Sequence, residues 1–271
     1  MKSAPGIRAV PYTAERRLVA ASAAVARERN TVHGLYEVDV TEARRLLRVH
    51  RERTGEALSF TAFVVACLAR AIAENQNLNS LRRGRKVYLL DDVTVATLVE
   101  RAVGSETVPE LLSIHRAQDK TLREIHDEIR AAQQRPGDAP TRSSRTNRFT
   151  RFVPGFLLRA AVRAATRNIA RAARSGVVTV TAVGMHGRGP GWGIPLSLWT
   201  VAVTVGGIGQ RTALRDGLPE TREYLCLTTS FDHDLVDGAP AVRFMSRFAA
   251  LLRSGDLLRD ALAADPGEGT K

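Results

Sequence analysis

The stretch "REYLCLTTSFDHDLVDGAPAVRF" (222–244) begins as a regular alternation and then breaks it. Strand periodicity over its first part puts Leu225, Leu227, Thr229, Phe231 and His233 on one face and Tyr224, Cys226, Thr228, Ser230 and Asp232 on the other. His233 therefore extends an apolar face, where loss of water disfavours the imidazolium and keeps the ring in the neutral form that a general base needs. Asp237 follows one tight turn later, within reach of the histidine or the groups around it. Gly238 permits the bend and leads into a helix over 239–255. On spacing alone, His-x-x-x-Asp-Gly fits either a catalytic base with a supporting acid or a structural histidine on a core face.

Working outward, residues 14–29 read as an Ala-rich helix, 31–40 as a strand and 41–53 as a helix behind a Thr41 N-cap. Ser59 opens the most apolar helix, "SFTAFVVACLARAIAEN", whose bulky residues cover nearly its whole circumference, as in an element buried on most sides. "RKVYLL" and "DDVTVATLVE" follow as an expected strand pair, and Leu122, Ile125 and Ile129 mark a helix over 120–134. Strands at 176–184 and 198–208 precede the one at 222–233. Helices come early and strands late, without the strict alternation of a doubly wound sheet. The expected class is α/β (α+β), a mixed β-sheet with helices packed on it.

A chain of 271 residues with 44% apolar content can bury one large core or two small ones. Cys67 and Cys226 lie far apart in apolar runs, which argues against a disulfide scaffold and fits packing residues in a reducing cytoplasm. No signal-peptide core opens the chain, and the longest apolar stretch, Phe60 to Ala69, is too short to span a bilayer. A cytoplasmic location is expected.

The net charge of +12 invites an anionic partner: nucleic acid, a membrane surface or a phosphate-bearing cofactor. Most of it comes from residues 134–174, which hold ten arginines against one acid, Asp138. The first part of that segment reads as a Pro/Ser/Thr-rich loop, the second as one helix with Arg159, Arg163, Arg167 and Arg171 in an i,i+4 row. Such a row can hold phosphates or an acidic partner, and it can equally be a solvated face whose stems cover apolar surface. Aromatic residues make up only 5% and no zinc-finger, RNP-type or basic-zipper pattern is present, so nucleic-acid binding ranks behind the other readings. The Gly-rich run 184–195 lacks GxGxxG spacing and a following helix, and reads as turns between strands. His186 within it has no clustered partner ligands, so no metal is expected.

"SFDHDLVDGAPAVRF" (230–244) resembles the signature of the dihydrolipoamide acyltransferase catalytic domains of 2-oxo acid dehydrogenase complexes, whose fold is shared with chloramphenicol acetyltransferase. "GLYEVDVTEARRL", "ALSFTAFVVACLARAIAENQNLNS", "VYLLDDVTVATLVE", "DKTLREIHDEI" and "VVTVTAVGMHG" fall in the order of that domain, so the resemblance covers residues 14–258. It implies a chloramphenicol-acetyltransferase-like two-layer sandwich at 14–258, including the Arg-rich loop and helix of 134–174. Flexible segments at 1–13 and 259–271 would flank it.

The resemblance implies coenzyme A-dependent acyl transfer. The family's histidine falls on His233, the base that takes a proton from an acceptor thiol or other nucleophile. The motif's aspartate falls on Asp237, which supports the site, and the hydroxyl that stabilises the oxyanion falls on Thr181. Gly238 and Arg17, the latter as an electrostatic partner for Asp237, would be structural support, and Arg159 and Arg163 would meet the phosphates of coenzyme A. A trimeric building block would place the His233 and Thr181 of one reaction on neighbouring chains. Ala182 stands where the family carries Asn, Asp234 where it carries Arg, and "ERAVGSETVPELL" (100–112) replaces a Pro-Arg-Gly-Leu loop. No lipoyl domain, subunit-binding domain or swinging linker precedes residue 14. The expected acceptor is therefore a small molecule or a separate lipoyl domain, alongside dehydrogenase-complex partners, with no lipoyl group on this chain. The alternative is a non-catalytic oligomeric scaffold that recruits partner enzymes.

Overall fold

The computed structural model describes residues 7–8, 10, 12–103, 106–135, 153–184, 187 and 189–263. The chain opens with helix α1 (Ala14–Ala26), begun where Thr13 accepts a hydrogen bond from the Arg16 amide, and continues into strand β1 (Thr31–Asp39). Helix α2 (Thr41–Thr54) follows at once. Thr41 is its first residue rather than its cap, because Asp39 Oδ1 accepts both the Thr41 amide, at 3.0 Å, and its hydroxyl, at 2.6 Å. Helix α3 (Phe60–Ala73) is capped by Ser59, as expected, and every residue from Ala62 to Ile72 is buried except Arg70.

Six strands form the main sheet in the order β1–β8–β7–β6–β4–β5, with β4 at Val95–Val103, β5 at Glu106–Ile114, β6 at Val178–Ala182, β7 at Val201–Arg215 and β8 at Leu218–Asp232. β6 runs parallel to both neighbours and every other pairing is antiparallel, which makes the sheet mixed. Helices α3, α4 (Leu122–Gln134) and α7 (Gly238–Ser254) pack into one core with the sheet. α4 opens with a reciprocal capping box between Thr121 and Glu124 and buries Leu122, Ile125 and Ile129, the spacing that announced it. Among the described residues no helix is long and apolar enough to cross a membrane.

Five local expectations are corrected. "RKVYLL" does not pair with "DDVTVATLVE"; β3 (Lys86–Leu89) folds back on β2 (Ser80–Arg83) as a separate hairpin, and β4 enters the main sheet. The segment 100–112 is no loop: it is most of the β4–β5 hairpin, and Pro109 is tolerated because β5 is an edge strand. β7 and β8 run past the expected ends and join through Asp216–Gly217, both at positive φ (51° and 82°), the backbone a right-twisted hairpin demands. The single Arg-rich helix is two, α5 (Gly155–Thr166) and α6 (Ile169–Ser175), because Asn168 leaves the helical path and its side chain caps the Arg171 amide. Helix α8 (Asp256–Ala263) carries regular structure past residue 258, anchored by a fully buried Leu258.

Where it is described, the Gly-rich run forms no strand or α-helix. Its backbone lies on the sheet at the bulge between Val205 and Ile208, where a Cβ on Gly206 would sit 2.1 Å from the Gly191 carbonyl oxygen. Only glycine permits that approach. His186 and the Arg-rich loop of 136–152 lie outside the described residues.

Candidate active site

β8 delivers the motif. Leu225, Leu227 and Phe231 point into the core, and Phe231 meets Phe244 of α7 edge-on at 5.9 Å, with Phe248 stacked behind at 6.0 Å. This aromatic stack fixes the end of the strand against the start of the helix, so the connection from Asp232 to Asp237 hangs between two rigid supports.

The strand ends at Asp232 because its carbonyl accepts the amides of Leu235 and Val236, both at 3.0 Å, which curls the chain into a turn. His233 therefore leaves the strand instead of extending its apolar face. The expectation of a desolvated ring does not hold within one chain, where the side chain is 44% exposed. Its amide donates to the Asn30 carbonyl at 2.7 Å, and the residue before it is clamped by Arg29, whose Nη1 lies 2.7 Å from Asp232 Oδ2.

Asp237 stays near the imidazole, as the motif suggested, with Oδ1 3.9 Å from Nδ1. That is beyond hydrogen-bond length, and the carboxylate is almost fully exposed. It takes the N-cap position of α7 without a side-chain capping bond. Gly238 opens that helix, but its φ is not positive and a Cβ there would meet nothing within 4 Å, so neither bend nor packing requires glycine in the single chain. Arg17 lies elsewhere. Its guanidinium donates to the Val153 carbonyl where α1 packs beside α5, and the side chain that Asp237 faces is the His233 imidazole.

Thr181 sits on β6 opposite Thr204, its side chain half-buried and, among the described residues, without a hydrogen-bond partner at Oγ1. It lines a cleft of about 220 Å³ with Thr204, Ser197, Trp199, Leu98 and Leu111. A larger cavity of about 480 Å³ lies by the His233 turn, walled by Asp234 and Asp237 on one side and Ser80, Val87 and Leu89 on the other. The two candidate catalytic groups are far apart in one chain. Thr181 is level with Thr204 and hence with Thr228, two strands away, and His233 lies five residues beyond Thr228. At strand rise and spacing this is roughly 17 Å along the sheet and 10 Å across, about 20 Å in all.

Arg163 is already committed: its guanidinium grips Glu28 in a two-pronged pair, with Nε 3.0 Å from Oε2, and holds that carboxyl below the usual carboxylate range. Arg167 and Arg159 add weaker attraction to the same acid. Glu28 immediately precedes Arg29, so the α5 arginines stand beside the residues that clamp the His233 turn. Both cysteines are buried and free, and burial raises both thiols, which suits packing better than nucleophilic attack. Among the described residues no group of three or more His, Cys, Asp or Glu could hold a metal ion. Sequence reasoning missed Arg29, Asn30 and Arg82, which reach the turn only through tertiary contacts.

Comparisons with known proteins agree on one relationship. Residues 5–146 and 158–258 match the family model described as 2-oxoacid dehydrogenases acyltransferase (catalytic domain). A curated relative, the lipoamide acyltransferase component of the branched-chain alpha-keto acid dehydrogenase complex of Bacillus subtilis, is 25% identical over 94% of this chain, which spans only 54% of that protein. Among solved structures, a dihydrolipoamide acetyltransferase of Azotobacter vinelandii superposes with a TM-score of 0.67 at 18% identity, covering 93% of each chain. Chloramphenicol acetyltransferase does so at 0.52 and 12%, covering 86% of this chain and 92% of its own, which shows the expected shared fold. The Azotobacter structure was studied for the catalytic roles of a serine, a histidine and an asparagine. Those residues are separated by fifty-two and then four positions, the intervals that separate Thr181, His233 and Asp237.

Proposed function

Since the chain belongs to the family of 2-oxoacid dehydrogenase acyltransferase catalytic domains, we propose that it transfers acyl groups between coenzyme A and a thiol acceptor, at a site shared by two subunits. One observation carries this reading: a half-exposed imidazole and a threonine hydroxyl without a partner among the described residues stand about 20 Å apart in one chain, Thr181 lining one cleft and the Asp234–Asp237 turn that follows His233 lining another. A ring of three head-to-tail subunits would press the His233 end of one sheet against the Thr181 cleft of the next. The matching intervals in the Azotobacter protein support the same three positions.

In that arrangement, Asp237 beside Nδ1 favours the tautomer with its proton on Nδ1 and leaves Nε2 as the base. Nε2 takes the proton of the acceptor thiol, and the thiolate attacks the carbonyl carbon of the acyl-CoA thioester. The neighbour's Thr181 Oγ1 donates to the resulting oxyanion. Collapse expels the coenzyme A thiolate, which recovers the proton from the imidazolium. Subunit contact would also remove water from the ring, supplying the desolvation that the isolated chain lacks. Arg159, free of the pairing that occupies Arg163, is the better placed of the two to meet the phosphates. A small dithiol or a lipoyl group on a separate domain would serve as acceptor, with a cytoplasmic dehydrogenase complex as the setting.

The test incubates a panel of acyl-CoAs with free dihydrolipoamide and follows the release of coenzyme A thiol. His233→Ala should lower turnover by about 10²–10⁴-fold with the oligomer intact. Wild-type protein that assembles and binds partner enzymes but releases no thiol with any pair would favour the scaffold instead.

A further inference from the structure

We propose that Arg82 and Asp234 are positioning residues for the His233 base, an ion pair that ties the turn carrying the imidazole to the β2–β3 hairpin. The proposal rests on the acyl-transfer reading for its kinetic consequence and on geometry alone for the clamp. On the N-terminal side of His233, Asp232 is held by Arg29 and the His233 amide by the Asn30 carbonyl. On the C-terminal side, Asp234 Oδ1 accepts from Asn30 Nδ2 at 2.9 Å, and Oδ2 lies 2.8 Å from Arg82 Nη2. The imidazole is thus flanked by two anchored carboxylates that lean on different elements. With one of them released, the turn would keep its backbone bonds but lose the lateral restraint that sets where the ring points.

The hairpin is a firm support. Thr200 Oγ1 donates to the Ser80 carbonyl at 2.6 Å, and Asn79 Nδ2 donates to the carbonyls of Leu90 and Asp92 at 2.7 and 3.0 Å. Its Ser80, Val87 and Leu89 form the wall of the cavity that faces Asp234 and Asp237, so the ion pair joins the two sides of that cavity. An arginine at 234, the residue the family resemblance would lead one to expect, would meet Arg82 as a like charge. The acid at 234 and the base at 82 belong together in this chain. Both side chains are partly exposed, at 54% for Arg82 and 31% for Asp234, and such a pair adds little to global stability. Its effect is expected in the placement of the ring, where an error of about 1 Å can cost about 100-fold in rate.

The test compares Arg82→Asp, Asp234→Arg and the double exchange, with Asp234→Asn and Arg82→Gln as milder variants should a reversed charge prevent folding. Each single variant should lower kcat about 10-fold or more, with the KM for acyl-CoA within about two-fold. The double exchange should recover most of kcat. Hydrogen exchange of the amides at 232–236 should speed up in the singles and slow again in the double, a readout that needs no turnover. If wild type releases no thiol, the acyl-transfer reading falls and the exchange data still decide the clamp. Singles that match wild type in both kcat and exchange, a double exchange no better than its worse parent, or an Asp234→Arg variant with raised kcat would each overturn the proposal.

Discussion

Two inactive variants should make one active enzyme if His233 and Thr181 work across a subunit boundary. His233→Ala removes an exposed ring, and Thr181→Ala removes a hydroxyl with no hydrogen-bond partner among the described residues, so each should leave the fold within about 0.5 kcal/mol of wild type. Alone, the first should cost about 10²–10⁴-fold and the second about 10²–10³-fold in kcat. Their separation of about 20 Å means that no single chain can bring them to one substrate. In randomly mixed trimers of equal proportions, an interface is restored when the His233 donor comes from the Thr181→Ala chain and the Thr181 donor from the His233→Ala chain. That combination occurs at about one interface in four in a closed heterologous ring. Co-expressing the two variants with different tags and purifying through both keeps only mixed rings, each with one restored interface in three, so coenzyme A release should recover to far above either parent, about a third of wild type. Native mass spectrometry would verify the mixed composition. Mixed oligomers with no more activity than the parents would refute the shared site.

Phe244→Ala should lower stability by about 3–5 kcal/mol, because Phe244 is fully buried between Phe231 and Phe248, and denaturant unfolding would measure it. Gly217→Ala should cost about 1–2 kcal/mol in the same assay, since the left-handed backbone at this position penalises a Cβ although open space surrounds it. Stability should also fall in acid through His126. Burial first, then the Arg130 charge, hold its pKa below the ordinary 6.5 against the opposing Asp127 and Glu56, and its Nδ1 must stay unprotonated to accept the Ser59 amide. With the folded value depressed, the unfolded chain binds the extra proton first. Stability is then full above pH 6.5 and is lost as pH falls below it, and His126→Gln should flatten that part of a melting-temperature profile. Arg159→Ala should raise the KM for acyl-CoA at low salt more than Arg163→Ala does, because Glu28 already holds Arg163; equal and negligible effects would remove both arginines from phosphate binding.

What could be read from the residues was whatever depends on one element alone. The unbroken apolar circumference of α3, the alternation in β8 and the Leu122, Ile125, Ile129 spacing of α4 are local signals, and each was legible. The β4–β5 hairpin was not, because the polar residues Glu100, Arg101, Glu106 and Thr107 interrupt the apolar alternation that marks a strand. The Asp216–Gly217 turn carried a readable hairpin signal, muted by the polar run Gln210–Thr212 on one side and Pro219 on the other. Within the site, His233, Asp237 and Thr181 could be named from motifs. The exposure of the ring, the idle Gly238 and the engagement of Arg17 with α5 follow from packing between distant segments, which no local pattern encodes.

Beyond Tyr224, strand β8 has no β1 beside it; Asp39 still holds Arg222 and α2 still holds Glu223, but past them β8 continues with the end of β7 as a bare ribbon for about 14 Å. Leu214 and Leu218 stand exposed at its tip, and Arg215 stands between Leu214 and the turn, opposite Leu218. Two strands alone are marginal in water, and the peptide bond after Arg215 is one that trypsin cuts. A lone subunit should therefore be nicked there quickly, and an assembly that covers the tip should resist, so the rate of that single cut would report how much of the protein is dissociated.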